Sequence, residues 1–395
     1  MSYLIPAGAM LLTQTTAAMG LVVVPVLATE LARATGMPAT AVGPYTALLF
    51  VMAMVSSGAS ASLIARLGPI RSNQIALVGT AGALLLTLSA NPYLLGLSAL
   101  ALGLSYGPNT PSGSSVLARV TPIHRRALVF SIKQSGATIG AVVAGLMLPA
   151  LAVRFSWETA VASAATLILA SACAVQPLRA RFDGDNEQAS TTQGTDPFAA
   201  ARALFANSAL RALTAAAFLV KMLYITLQTY IVAYLVETRA FSLQDAGFAL
   251  AMYSSAGAGA RILLGWLADR IHGTRLLLGS LALLGALATA ILIWFAHDLS
   301  REAVWIACFV AGIGCAGWYG IFLAEIVRVA PGGDAAAATG GALFFIYGAI
   351  VAGPLLFGIL VAMLGSYEVA WWTFTAMGLV AAVLFVRAPQ TRTVV

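Results

Sequence analysis

Charge is what this sequence has least of. Of 395 residues only 9% are Asp, Glu, Lys or Arg, while 60% are apolar. A soluble domain carries about 25% charged residues. A chain this poor in charge cannot cover a water-facing surface, so much of its exterior must face lipid. Lysine is nearly missing: Lys133 and Lys221 are the two in the chain, and the rest of its 21 basic residues are Arg. The three cysteines, Cys173, Cys308 and Cys315, are too few for a disulfide framework and all fall in apolar segments. Cys308 and Cys315 lie two helical turns apart, but no His or carboxylate lies within a turn of either, so they read as core thiols and not as metal ligands. No phosphate-binding loop, pair of catalytic carboxylates or metal-ligand cluster appears. An enzyme, a resident cofactor and a bound metal are therefore not expected.

Long apolar runs are what the chain has in their place. A membrane-spanning helix needs roughly 20 mainly apolar residues. Twelve such segments can be marked, at about 4–30, 42–65, 73–90, 93–118, 128–152, 157–178, 210–236, 243–268, 274–296, 303–327, 336–364 and 368–387. The first lacks the basic flank of a signal peptide and is too long for its apolar core, so it reads as a retained membrane helix. With the N-terminus placed in the cytoplasm, fourteen Arg fall in cytoplasmic loops and the tail, against four (Arg33, Arg154, Arg239, Arg301) on the other side. This bias supports both the orientation and the even count. It also explains the formal net charge of +7 without nucleic-acid binding.

The long polar stretch runs from Arg179 to about Asn207 and has linker composition. It divides the chain into a six-helix bundle over 1–178, a cytoplasmic linker over 179–208 and a second six-helix bundle over 209–395. Within it, Asp196 followed by Pro197 predicts a short surface helix reaching Arg211. Leu117-Ala-Arg-Val-Thr-Pro122 is echoed by Ile326-Val-Arg-Val-Ala-Pro331, each at the end of the fourth segment of its half. The repeat is weak, but two parallel halves are what a duplicated transporter would show.

The loop after the eighth segment, Gly265-Trp-Leu-Ala-Asp-Arg-Ile-His-Gly-Thr-Arg275, resembles the signature loop of the major facilitator superfamily. Its first-half counterpart, Ala61-Ser-Leu-Ile-Ala-Arg-Leu-Gly-Pro-Ile-Arg71, is degenerate, with Ala65 where that family usually has Asp. The resemblance implies an all-α membrane protein with twelve transmembrane helices in two pseudo-symmetric six-helix bundles, the major facilitator fold. It also implies a cytoplasmic gate built on Gly68, Arg71, Gly265, Asp269 and Arg270, weaker in the first half than in the second. Gly136, Gly140 and Gly145 lie nearly on one face of the fifth segment, where small residues allow close helix packing.

The charges that should avoid lipid carry the functional information. Lys221 lies about ten residues beyond Arg211, roughly 15 Å into its helix. Arg261 stands eight residues before Asp269, roughly 12 Å from the cytoplasmic end. Lys133 lies roughly 10 Å in and either lines the cavity or snorkels to the interface. No carboxylate lies equally deep, and Glu325 sits where it can pair with Arg328. Unbalanced positive charge in the core calls for an anionic substrate, with Arg suited to gripping a carboxylate and Lys acting as a point charge.

Arg261, four residues before Gly265, gives a short likeness to the monocarboxylate and oxalate/formate facilitators. The eleventh segment carries no Lys or Arg, which departs from the oxalate type. Lys221, Tyr224 and Gln228 share one face and form the candidate cavity wall, with Gln14, Asn109 and Tyr319 as further polar contributors. The expected function is secondary active transport of a small organic anion, a carboxylate in particular, by alternating access. A proton-coupled exporter of drugs or other small hydrophobic or cationic molecules is the alternative. The expected partners are the anionic substrate, a coupling proton or counter-anion, and the lipid bilayer. The chain is expected to be a monomer in a cell membrane of the bacterial inner-membrane kind, with both termini cytoplasmic.

Overall fold

The computed structural model describes residues 3–122, 126–183, 207–268, 274–294, 299–329 and 335–389. Sixteen helices account for most of them: α1 (Leu4–Val26), α2 (Ala28–Thr35), α3 (Val42–Leu67), α4 (Pro69–Leu85), α5 (Pro92–Tyr106), α6 (Asn109–Val120), α7 (Arg126–Arg154), α8 (Trp157–Ala174), α9 (Arg179–Phe182), α10 (Ser208–Arg239), α11 (Leu243–Ala268), α12 (Thr274–Trp294), α13 (Arg301–Ala316), α14 (Tyr319–Arg328), α15 (Ala335–Leu364) and α16 (Tyr367–Arg387). Among the described residues there is no strand. Ten spans among the described residues are long and apolar enough to cross a membrane. The broken pair α5–α6 and the helix α11 complete the twelve. The surface helix predicted from Asp196 lies outside the described residues, apart from its last turn, which here belongs to α10.

Local chemistry sets where the helices begin. Asn91 precedes Pro92 and accepts the backbone N–H groups of Tyr93 and Leu94, opening α5. Ser156, Ser300 and Ser366 cap α8, α13 and α16 in the same way. At α11 the Ser242 hydroxyl accepts from the Asp245 N–H and donates to the Asp245 carboxylate, a reciprocal cap. These five caps each open an even-numbered span, and Asn207 caps α10 likewise. Gly36 and Gly365, both left-handed, close α2 and α15.

Two spans that the sequence shows as single apolar runs are broken. The fourth stops at Tyr106 and restarts at Asn109, because Pro108 has no N–H to continue the ladder. The tenth stops at Ala316 and restarts at Tyr319. The two breaks lie twelve and eleven residues before Arg119 and Arg328, the repeated positions.

The described chain forms two compact units, Met1–Ser190 with Thr229–Ala251, and Thr191–Gln228 with Met252–Val395. In the first, α7 packs along α1, where a methyl group on Gly140 would collide with the Thr15 carbonyl. Gly145 meets Gly247 backbone to backbone in the same unit, and the Tyr230 hydroxyl donates to the Thr40 carbonyl at 3.1 Å. Of the three small residues on the face of α7, Gly136 and Gly140 serve α1 and Gly145 serves α11. A core of Met10, Ile70, Val116, Leu117, Val175 and Phe182 closes one end of this unit. The second unit is built around Trp318, Phe322, Phe385, Leu213, Leu278 and Ile346. Cys308 and Cys315 are buried and unbridged, as core thiols should be.

Candidate substrate site and the helix-end clusters

Along α10 from Lys221 to Tyr230, Lys221 and Gln228 are half-buried and every other residue is buried. They are seven residues apart, so one narrow face of the helix is open. Tyr224, between them, is 7% exposed. The Lys221 ammonium stands 4.4 Å from the centre of the Tyr224 ring, and the Arg261 guanidinium carbon 5.8 Å from the same centre. The two cations are thus no more than about 10 Å apart and share one aromatic ring. At an effective dielectric constant of about 20 their repulsion is roughly 2 kcal/mol. Neither has a carboxylate partner among the described residues. The ring quadrupole offsets part of the repulsion, and a bound anion would offset the rest.

The ring is itself held in place. Tyr253, on α11, stacks on Tyr224 with centroids 5.9 Å apart, and its hydroxyl donates to the Tyr224 carbonyl at 3.0 Å. Tyr253 lies eight residues before Arg261, on the same helix face, and that spacing is the signal from which it could have been found. Arg261 is anchored too. Its Nε donates to the Ala316 carbonyl at 3.2 Å, at the break in the tenth span, and Trp318 Nε1 donates to the Cys315 carbonyl at 2.7 Å. Side chains therefore satisfy two of the carbonyls that the break leaves without helical partners. Tyr319, half-buried, begins α14 directly after the break and meets Trp318 edge to face. With Nε engaged, the terminal nitrogens of Arg261 remain the part of the fork that can meet an anion.

Gln14, Asn109 and Lys133 come together in the first unit. The Gln14 amide donates to the Tyr106 hydroxyl at 3.3 Å and its oxygen accepts from Asn109 and Thr110. Asn73 donates to the Asn109 side-chain oxygen at 2.8 Å. Lys133 is 1% exposed and donates to the Thr110 carbonyl at 3.0 Å, just past the break at Pro108. Its side chain packs over Gly113, which has no Cβ to obstruct it. Lys133 does not snorkel to the surface of its unit.

The proposed gate residues fall apart into described and undescribed ones. Gly68 separates α3 from α4 with φ +85°, and Arg71 is exposed one turn into α4. Gly265 lies in α11, while Asp269 and Arg270 lie outside the described residues. The start of α4, four residues after Ala65 where the degenerate motif lacks an acid, is capped from elsewhere: Asp183 accepts the N–H groups of Ile70 and Arg71 at 2.9 and 3.0 Å. Arg119 reaches the neighbouring Phe182 carbonyl at 2.8 Å. In the second unit Glu325 binds Arg275 at 2.6 Å and Arg328 at 2.7 Å, and Arg275 also donates to the carbonyls of Ala388 and Pro389. The sequence expected the Arg328 pairing but read Arg275 as a loop charge. It is 8% exposed, because the end of α16 and Glu325 of α14 close over it. The ion pair holds Arg328 more firmly protonated than a free arginine.

A bundle of apolar helices with breaks in its fourth and tenth spans, polar groups and unpaired cations inside and ion pairs at helix ends defines a helical membrane transporter. The chain belongs to the Major Facilitator Superfamily, whose family model matches residues 9–350. No curated relative matches it in sequence. Among solved structures it is similar to a bacterial homolog of the human lysosomal transporter Spinster, crystallised in an inward-facing, occupied conformation. That likeness has 16% identity and a TM-score of 0.71, over 96% of this chain and 93% of the other. It is also similar to a mutant of the nucleoside transporter NupG, at 15% identity and a TM-score of 0.78, over 96% and 99% of the two chains. At such identities the likeness shows the fold alone.

Proposed function

We propose that this transporter moves a small organic anion, a carboxylate in particular, across a cytoplasmic membrane by alternating access. The observation that carries the reading is the pair of cations that share the Tyr224 ring, Lys221 and Arg261, with no carboxylate to neutralise them among the described residues. A carboxylate placed there would accept from the Arg261 fork and face the Lys221 ammonium. Gln228, on the open face of α10, supplies a further neutral donor or acceptor. The N-terminus and C-terminus are assigned to the cytoplasm on the arginine bias of the loops.

The exporter alternative is disfavoured by the acids. Among the described residues every carboxylate lies at or beside a helix end, and the one buried inside a span, Glu325, is held by two arginines. A nucleoside-type substrate, suggested by the NupG likeness, would find a half-buried ring in Tyr319, but it would leave the two cations uncompensated. The test is a panel of monocarboxylates, dicarboxylates, nucleosides and cationic drugs against the purified protein, read as thermal stabilisation and then as uptake into proteoliposomes. Stabilisation by carboxylates that disappears in Lys221→Gln and Arg261→Gln supports the reading. Stabilisation by a neutral nucleoside or a cation, unaffected by either substitution, overturns it.

A further inference from the structure

A groove at one end of the first unit has no part in the substrate reading. It lies between the start of α4 and the end of α8, and its walls include Arg71, Gln74, Ile75, Val78, Gln176 and Arg179 around ≈ 530 Å³ of space. The two kinds of lining residue separate along its length. Ile75 and Val78 are 48% and 52% exposed and belong to an apolar stripe on α4 that continues to Leu85. Arg71 stands one turn before Ile75, at the end of that stripe, and Arg179 faces it from α9. Between them the Gln74 amide donates to the Ala172 carbonyl at 2.9 Å and to the Gln176 side-chain oxygen at 2.8 Å, tying α4 to α8.

Among the described residues the charge balance at the mouth is positive. One described acid is near, Asp183, whose carboxylate lies 3.9 Å from Arg179 Nε. Its two oxygens already accept the N–H groups of Ile70 and Arg71. One carboxylate thus stands against two guanidinium groups, and both arginine side chains are open to the surroundings, Arg179 by 42%. Two cations at the end of an exposed apolar wall match an amphiphile with an anionic head.

We propose that this groove binds a phospholipid with a net negative headgroup, its phosphate between Arg71 and Arg179 and an acyl chain along Ile75 and Val78. A lipid fits better than free phosphate because the lining includes the exposed Ile75 and Val78, whose stripe runs on along the exposed side of α4 to Leu85. The proposal does not depend on which substrate is carried.

The test uses the purified, delipidated full chain. Phosphatidylglycerol, phosphatidylcholine and glycerol 3-phosphate are added separately, with bound lipid read by native mass spectrometry and stability by thermal unfolding. Phosphatidylglycerol is expected to be retained and to raise the melting temperature, phosphatidylcholine to do neither. The Arg71→Gln/Arg179→Gln variant should need at least tenfold more phosphatidylglycerol, while Arg154→Gln at the far end of α7 should need no more than the parent. Equal responses of the parent and the double variant overturn the proposal, as does an equal loss in Arg154→Gln, which would mark a bulk charge effect. A response to glycerol 3-phosphate equal to that of the lipid overturns the lipid assignment in favour of a free-phosphate site. If the double variant does not fold, Val78→Gln carries the test: a several-fold loss of lipid affinity supports the groove, and unchanged affinity overturns it.

Discussion

Neutralising Lys221 should weaken substrate binding and strengthen the empty protein at the same time. The ammonium and the Arg261 guanidinium share the Tyr224 ring and lie no more than about 10 Å apart. Without an anion the two charges repel by roughly 2 kcal/mol at an effective dielectric constant of about 20. Lys221→Gln removes that term and leaves an amide on a half-buried position, so the melting temperature of the substrate-free protein should rise. A charge-assisted contact to a bound carboxylate contributes about 1.5–3 kcal/mol. Its loss should raise the substrate concentration for half-maximal uptake by roughly 10- to 100-fold. Lys221→Arg should retain most of the uptake, because the charge remains even though its shape changes. Uptake into proteoliposomes and unfolding of the same preparations supply the two readings. A residue serving structure alone would lower stability on removal. Unchanged transport, or a lower melting temperature together with reduced transport, would refute the argument from unbalanced charge.

Arg261→Lys should abolish the bond to the Ala316 carbonyl while keeping the cation, and uptake is expected to fall at least tenfold in vesicles. Glu325→Gln leaves Arg275 buried without its ion partner, a loss of about 3–5 kcal/mol that should appear as a much lower melting temperature and poor yield from membranes. Asp183→Ala removes the cap of α4 and should cost about 1 kcal/mol, measured by denaturation in detergent. Gly68→Ala should cost more than that cap, since φ +85° strains an alanine and its Cβ would meet the Asp183 carboxyl.

Much of the fold is legible in the sequence because lipid imposes one rule, that a span be apolar for long enough. The breaks in the fourth and tenth spans were not. Gly107-Pro108 and Gly317-Trp318 are visible, but membrane helices tolerate such pairs, so apolar content hid them. Lys221, Tyr224 and Arg261 could be named from depth and helical spacing. That the two cations share the Tyr224 ring could not, since Arg261 comes 37 residues later on another helix. Asp183 was missed for a related reason. It sits in a stretch with linker composition, more than a hundred residues from the helix start it caps. Arg275 looked like any arginine of a loop until Glu325, fifty residues on, closed over it.

The scarcity of lysine has a practical consequence. With Lys133 sealed inside the first unit and Lys221 half-open in the second, the protein carries a single reachable side-chain amine, set in the proposed site. Apart from the α-amino group of the chain, an amine-selective reagent would therefore report on one position in the unaltered protein. Its rate of reaction would show how often that face is open to the solution, and protection by a solute would identify what occupies it.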